Sequence, residues 1–420
     1  MKYFQKTYDN GLRLILEKND RPITAVNIMF FVGSQNEEKD EEGYAHFIEH
    51  MTFKSSENYS TDESMDKFAM LGADYNAYTS KTVTRFVFKC INENFEELFK
   101  VYSDLILRSK FNQDELDKER QVIVEEMKRS QDDPIEIMYE DAVNNFYYGN
   151  KYAHDALGTE ENILSATKEK LLNFKNKFYR ANNCVISVIG NISLEKLDEI
   201  VSRYFADYFN EKSEPYKVDF SQIEPNIKEN YKIITRDDKQ ANVCIMLKAP
   251  NYASEQKYIA DIYASILGNT QNSKLFKRIR EELGLVYNIY ASCEVGARIG
   301  EIVIAFGTRP SNVKKALAEI RKIINELAEE GITENELEYA KTWKKSITLY
   351  SEESSSRIAD LNASMVHYHG KPLSAKERME GYDKIKVQDV FDFAKQVANE
   401  KQFAVVAIGK GIKKNDLKEF

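Results

Sequence analysis

Two similar strand endings constrain this chain more than any other feature. The first half closes on the residues CVISVIG, ending at Gly190, and the second on FAVVAIG, ending at Gly409, 219 residues later. The order of strand-like and helical segments before each ending is also the same. We therefore predict a duplicated α/β unit of about two hundred residues, a size typical of one domain.

Each half contains runs of strand-like segments and runs of helical periodicity without strict alternation. The pattern predicts strands at 12–17, 24–32, 74–79, 84–90, 184–189, 231–234, 243–247, 286–293, 301–307 and 403–408. Helices are expected at 44–53, 61–71, 94–106, 114–129 and onward to Tyr179, then at 256–267, 274–283, 311–330, 334–349 and 389–398. We predict an α+β fold of two homologous domains, 1–210 and 231–420, each a mainly antiparallel sheet packed with helices. Residues 211–230, rich in Glu, Ser, Pro and Lys, are interpreted as the linker.

Charge and apolar patterning exclude several classes of partner. The formal net charge is −9, and basic and acidic residues are interleaved without the Lys/Arg stripe that a nucleic-acid backbone requires. The longest apolar runs, such as 28–32, are far too short to cross a bilayer. The four cysteines lie tens of residues apart, which is typical of free thiols in a reducing compartment. With no apolar leader pattern at the N-terminus, we expect a cytoplasmic protein that binds neither nucleic acid nor membrane.

The segment from Gly43 to Phe53, GYAHFIEHMTF, carries the strongest chemical signal. On a helix, His46 and His50 are i and i+4, so both imidazoles face one point. Two neutral nitrogens at this spacing suit Zn²⁺. Glu49 lies on the flank of the same face, where it can contact a metal-bound water. This is the inverted order of the HExxH arrangement.

A catalytic zinc usually takes three protein ligands, so we expect the third to come from another helix. Along 112–130 the apolar residues mark the inward side, and Glu119 and Glu126 share one face about 10.5 Å apart along the axis. That separation prevents both from ligating one metal. We predict Glu126 as the ligand and Glu119 as an outer carboxylate, whereas Glu125 lies on the solvent side. Without the histidine pair, either carboxylate would be interpreted as an ordinary solvated charge.

The chain resembles the M16 family of peptidases, whose HxxEH motif is matched by HFIEH and whose third ligand is matched by Glu126, 76 residues after His50. The resemblance covers essentially the whole chain. It implies one Zn²⁺ per chain, because the corresponding segment of the second half, SILGN ending at Asn269, has no HxxEH. It also implies that Glu119 is the family's additional acidic residue near the site and that the two domains form half of a clamshell chamber.

Two further segments carry the resemblance. Residues 72–79, GADYNAYT, resemble the family's edge strand, which implies that the main chain at Asn76 and Ala77 binds substrate. Residues 275–287 resemble the LRExxGLxY segment, which implies that Arg280 binds substrate main chain and Tyr287 donates to the oxyanion. Taken alone, the same residues would be interpreted as an ordinary strand, a surface arginine and a core tyrosine.

The sequence favours a zinc-dependent endopeptidase that hydrolyses short, unstructured peptides inside a closed chamber, with Glu49 as the base. The chain is half the length of four-domain members and resembles the two-domain branch that dimerises. We expect a homodimer with sites completed in trans, with a heterodimer containing another M16 chain as the alternative. Two other functions remain open: a maturation protease that removes leader peptides, and a non-catalytic scaffold subunit of the same fold.

Overall fold

The computed structural model describes residues 3–420 and contains two β-sheets. The strands of the first are β1 (Tyr3–Thr7), β2 (Arg13–Lys18), β3 (Ile23–Phe30), β4 (Asp74–Thr79), β5 (Thr84–Ile91) and β6 (Cys184–Gly190). Their order in the sheet is β1-β2-β6-β3-β5-β4. β2 and β6 run parallel, and every other neighbouring pair is antiparallel.

The second sheet repeats this topology. It contains β7 (Tyr231–Ile234), β8 (Ala241–Lys248), β9 (Val286–Val295), β10 (Gly300–Thr308) and β11 (Phe403–Ile408), in the order β7-β11-β8-β10-β9. Its one parallel pair, β7 and β11, corresponds to β2 and β6. The predicted α+β fold of two similar, mainly antiparallel sheets packed with helices is confirmed.

Helices fill the connections between strands. In the first half they are α1 (Tyr44–Thr52), α2 (Thr61–Met70), α3 (Phe95–Leu107), α4 (Gln113–Ser130), α5 (Pro134–Phe146), α6 (Glu160–Ser165), α7 (Lys168–Phe178) and α8 (Leu194–Tyr204). In the second they are α9 (Gln256–Gly268), α10 (Val313–Glu330), α11 (Glu334–Tyr350), α12 (Ser355–His369), α13 (Ala375–Asp383), α14 (Val387–Ala398) and α15 (Lys414–Leu417). A π-helix, Phe276–Glu282, lies between α9 and β9.

The helical stretch predicted to run on towards Tyr179 is in fact three separate helices, α5, α6 and α7. Side chains divide it. Asp133 caps α5 by accepting from the backbone N–H groups of Ile135 and Glu136, and Pro134 occupies the first turn. Thr159 and Thr167 cap α6 and α7 in the same way. Each cap satisfies backbone donors that a continuous helix would have used internally.

The two compact units are not contiguous in sequence, which corrects the predicted boundaries of 1–210 and 231–420. The first unit takes the described residues up to Arg129, 154–218 and 350–374, and the second takes 130–153, 219–349 and 375–420. The reason is that each sheet has a second apolar face. In the second unit, α5 covers that face with Met138, Ala142 and Phe146. In the first unit, α12 covers it with Ala363 and Val366.

The predicted linker, 211–230, contains no helix or strand and divides between the units at Val218. Among the described residues, no helix combines the length and the apolar character needed to cross a membrane. The four cysteines are all free, and three of them are buried.

Candidate active site

Helix α1 begins at a fixed point in the core of the first unit. Its N-cap, Gly43, has a φ of 100°, and a side chain there would come within 2.6 Å of the Leu157 carbonyl oxygen. The backbone N–H groups of Gly43 and Ala45 donate to the fully buried carboxylate of Glu37, which also lies 2.8 Å from His154 Nε2. The helix start is therefore anchored one residue before His46.

His46 and His50 lie one turn apart on α1, with ring centroids separated by 4.6 Å. Both side chains are mostly buried, with 12% and 20% of their surface exposed. Burial, together with the neighbouring His50, lowers the pKa of His46 to about 3. The His46 ring is therefore neutral near pH 7, which is the form that coordinates a metal.

The third member of the cluster, Glu126, reaches α1 from α4. Its Oε2 lies 3.5 Å from His50 Nε2 and 3.9 Å from His46 Nε2. Each of the three residues offers one atom within 4.8 Å of the others, and no other set of three such groups is found among residues 3–420. Tetrahedral ligands at zinc bond lengths lie about 3.3 Å apart. The two distances from Glu126 Oε2 exceed that spacing by about 0.2 and 0.6 Å, and the residues present therefore fit a zinc ion.

Glu119 lies two turns before Glu126 on α4 and contacts the opposite edge of the His50 imidazole. Its Oε2 is 3.1 Å from His50 Nδ1, and its Oε1 is 2.6 Å from Lys54 Nζ. Burial alone would raise the pKa of Glu119, but the hydrogen bonds from His50 and Lys54 hold it below its usual range. The carboxylate is therefore ionised and fixes the orientation of the His50 ring.

Glu49 points towards strand β4. Its Oε2 accepts a hydrogen bond of 2.5 Å from Thr79 Oγ1. Burial raises the pKa of Glu49, and nearby Glu126 adds to this effect, against the opposing hydrogen bond from Thr79 and the proximity of His50. A carboxylate with a raised pKa beside a candidate metal site is well suited to exchange protons with water.

Strand β4 is the last strand of its sheet, so one backbone edge is unpaired within the described chain. The N–H of Ala77 donates to Asn76 Oδ1 at 2.9 Å, and Asn76 Nδ2 lies 3.1 Å from the Tyr78 hydroxyl. From the core side, the buried Tyr102 hydroxyl donates to the Asn76 carbonyl at 2.9 Å. The strand predicted to bind substrate is an edge strand held firmly from beneath.

Arg280 and Tyr287 belong to the second unit, on elements that pack together. Arg280 lies on the π-helix, exposed, with its guanidinium 4.6 Å from the centre of the Phe276 ring. Tyr287 lies on β9, the edge strand of the second sheet, and 54% of it is exposed. Its hydroxyl is 3.3 Å from Arg309 Nε. The tyrosine is thus not the core residue that its spacing alone would suggest.

A cleft of about 580 Å³ opens beside His50 and Glu126. The exposed side of α4 forms its wall through Gln121, Val122 and Glu125. Glu125 is 72% exposed and pairs with Lys128, as expected for a solvent-facing residue.

Sequence reasoning missed three contributors: Thr79, Lys54 and the buried Glu37. Lys54 is four residues after His50, a spacing that could have suggested a shared face, although α1 ends at Thr52. Thr79 contacts Glu49 across 30 positions of sequence, and Glu37 joins the start of α1 to His154, 117 positions away, so no local pattern marks either residue.

Comparisons with known proteins point to one family. A family profile described as Insulinase (Peptidase family M16) matches residues 13–160, and another described as Peptidase M16 inactive domain matches residues 165–342. Two curated relatives cover nearly the whole chain. The uncharacterized zinc protease YmxG of Bacillus subtilis is 28% identical over 94% of this chain and 95% of its own length. An uncharacterized zinc protease of Rickettsia felis is 29% identical over 94% and 93%.

Solved structures share the fold. A protease from Helicobacter pylori superposes with a TM-score of 0.86 at 22% identity, over 97% of this chain and 99% of its own. A Pseudomonas fluorescens protein described as a peptidase M16 inactive domain gives 0.87 at 20% identity, over 98% and 99%. The two family profiles together span most of the chain, from β2 to α11, and the chain therefore belongs to the M16 family of peptidases.

Proposed function

We propose that the chain is a zinc-dependent endopeptidase that hydrolyses short, unstructured peptides. His46, His50 and Glu126 would hold one zinc ion per chain, and Glu49 would act as the general base. The observation that carries the proposal is the convergence of three ligand atoms within 4.8 Å, on two different helices, beside a carboxylate with a raised pKa. The names of the relatives, which are zinc proteases, support the choice of metal.

When bound, zinc would polarise the scissile carbonyl and lower the pKa of water at the site. Glu49 takes the proton of the attacking water and then delivers it to the leaving amine. Glu119 keeps His50 oriented through the hydrogen bond at Nδ1. Tyr287 donates its phenolic proton in a hydrogen bond to the developing oxyanion, and Arg280 binds the substrate main chain.

The substrate adds to β4 as a further strand, with its main chain bound at Asn76 and Ala77. This mode requires an extended backbone, which folded proteins seldom present and short peptides readily adopt. We infer that the peptide is enclosed in a chamber built by two copies of the chain, with Arg280 and Tyr287 reaching the zinc site of the partner subunit. The free cysteines are consistent with the cytoplasm as the location.

The test is digestion of a mixed peptide library by the purified chain, with and without a chelator, followed by mass spectrometry. We expect cleavage that chelation abolishes and zinc restores. Glu49→Gln should keep stoichiometric zinc but lose most activity, and His50→Ala should lose the zinc. Glu125→Gln, an equal charge change at an exposed position of α4, is the matched control for the zinc content. Cleavage that persists at the wild-type rate in Glu49→Gln would overturn the base assignment.

Completion of the site in trans has its own test. Glu49→Gln and Tyr287→Phe should each be nearly inactive, but mixing them under exchange conditions creates mixed dimers. If Tyr287 serves the partner subunit, one site in each mixed dimer has both Glu49 and Tyr287, and activity returns. If the mixture stays inactive although mixed dimers form, the trans arrangement is wrong.

The two alternatives give different outcomes in the same experiments. A leader-removing maturation protease would cleave few members of a mixed library and only at one boundary within a longer precursor. A non-catalytic scaffold would cleave none, a result that the inactive-domain description of the Pseudomonas neighbour makes worth testing. The presence of all three ligands and of Glu49 favours the enzyme.

A further inference from the structure

Thr79 makes the only direct hydrogen bond to the Glu49 carboxylate that the described side chains show. Its Oγ1 donates to Glu49 Oε2 at 2.5 Å, and the bond joins residues 30 positions apart in sequence. Because a charged acceptor strengthens such a bond, the contact restrains the rotation of the carboxylate. The other carboxylate oxygen, Oε1, is left for the reacting groups.

The position of Thr79 on β4 is informative. Side chains alternate along a strand, so Tyr75, Ala77 and Thr79 share one face. Tyr75 packs its ring 4.4 Å from that of Phe68, on the helix-covered side of the sheet. Thr79 therefore points inward to α1, whereas the backbone of the same strand presents its free edge outward.

We propose that Thr79 is a positioning residue for the general base and links the orientation of Glu49 to the strand that binds substrate. This inference rests on the proposed function, because it assigns a role in the same site. The hydroxyl holds one oxygen of Glu49, which directs the other towards the attacking water. A peptide that pairs with β4 restrains this strand, and with it the hydroxyl that holds the base.

The expected effect of losing the hydroxyl is on the chemical step. Thr79→Val keeps the β-branched shape and the strand preference but removes the donor. Without the restraint, the carboxylate samples orientations from which it cannot reach the water, and a misplacement of about 1 Å can cost about 100-fold in rate. We expect kcat to fall about 10- to 100-fold while KM stays within about twofold, because the variant leaves the backbone edge intact.

The matched variants separate positioning from structure. Thr79→Ser retains a hydroxyl and should recover most of kcat. Thr82→Val makes the same change as Thr79→Val in the turn that follows β4, and should leave kcat and KM unchanged. Zinc content measured by atomic emission should be stoichiometric in all three. A Thr79→Val enzyme with wild-type kcat, or a Thr79→Ser enzyme as slow as Thr79→Val, would overturn the role.

A second readout needs no activity. In protein stripped of metal, Thr79→Val should lower the urea midpoint in the wild-type background by more than it does in a Glu49→Ala background, where the acceptor is already gone. Equal shifts in both backgrounds overturn the contact. If the wild-type chain cleaves peptides and Glu49→Gln does not, the proposed function stands, and full activity in Thr79→Val then refutes this inference alone.

Discussion

The Glu119 carboxylate offers the sharpest test of the proposed metal centre, because it contacts the proposed ligand His50 and is not one of the three groups that converge. One oxygen lies 3.1 Å from His50 Nδ1 and the other 2.6 Å from Lys54 Nζ. Both neighbours are donors when His50 coordinates through Nε2. In Glu119→Gln the amide has one acceptor oxygen and one NH₂ group, so only one neighbour can be satisfied. Either His50 loses its acceptor, or an NH₂ group faces the lysine ammonium.

We therefore expect zinc to bind Glu119→Gln about 10- to 100-fold more weakly, the range typical of partners that orient a metal-binding histidine. This corresponds to about 1.4–2.8 kcal/mol. Lys54→Met should cost less, because Glu119 then keeps its contact with His50. The measurement is competition between the protein and a chromophoric chelator at fixed pH and ionic strength.

Glu125→Gln is the control, since it removes the same charge from α4 at an exposed position that pairs with Lys128. If zinc binding to Glu119→Gln matches the wild type, the orienting role is refuted. If Glu125→Gln weakens binding as much as Glu119→Gln, the effect is one of overall charge, and the argument from the hydrogen bonds fails.

Three further predictions concern stability. Burial lowers the pKa of Lys175 to about 7. Between this pH and the pKa of about 10.4 in the unfolded chain, the unfolded chain binds one proton more than the folded chain, so the free energy of unfolding rises with pH. Lys175→Met should raise that free energy by about 3–5 kcal/mol at pH 7 but hardly at pH 10.5. Lys177→Met, on the exposed side of α7, should show no such dependence on pH. Urea titrations of both variants at both pH values test this. Tyr147→Phe removes a buried donor to Glu301 and should cost about 1–3 kcal/mol in the same titrations, and no loss would contradict the docking of α5 against the second sheet. Chelation should increase amide hydrogen exchange in α1 and α4 but not in α9 and α11, and equal increases in both pairs would argue against a single metal site.

The parts of the site that sequence predicts well are those set by the period of one helix. His46, Glu49 and His50 follow from the spacing within α1, and the shared face of Glu119 and Glu126 follows from the seven-residue spacing within α4. The period of a helix does not predict which other element each of its faces contacts. Both carboxylates meet the His50 ring because their side chains extend from α4 to α1, and Thr79 reaches Glu49 because β4 ends beside that helix.

The sequence did not predict that α5 covers the second sheet and α12 the first, for the same reason. In α5, Met138, Ala142 and Phe146 recur every four residues and mark an apolar stripe that must be covered. The stripe carries no information about which sheet covers it. Proximity in sequence suggested the first sheet, but the second sheet offers an apolar face that includes Cys244 and Met246. Contiguous boundaries could not represent that packing.

The two units share one topology, and α9 and α11 of the second correspond to α1 and α4 of the first. The side chains that connect the two helices differ between the units. In the second unit, Lys344 of α11 lies 2.6 Å from Asp261 of α9, whose other oxygen accepts from the Tyr382 hydroxyl at 2.6 Å. This pair balances its own charge without a cofactor. In the first unit, two imidazoles and Oε2 of Glu126 converge from α1 and α4, while the exposed Arg129 lies 3.6 Å from the other oxygen of Glu126. A divalent ion bound as we propose would join these three groups. The corresponding helices therefore carry an ion pair in the second unit and, as we propose, a metal in the first.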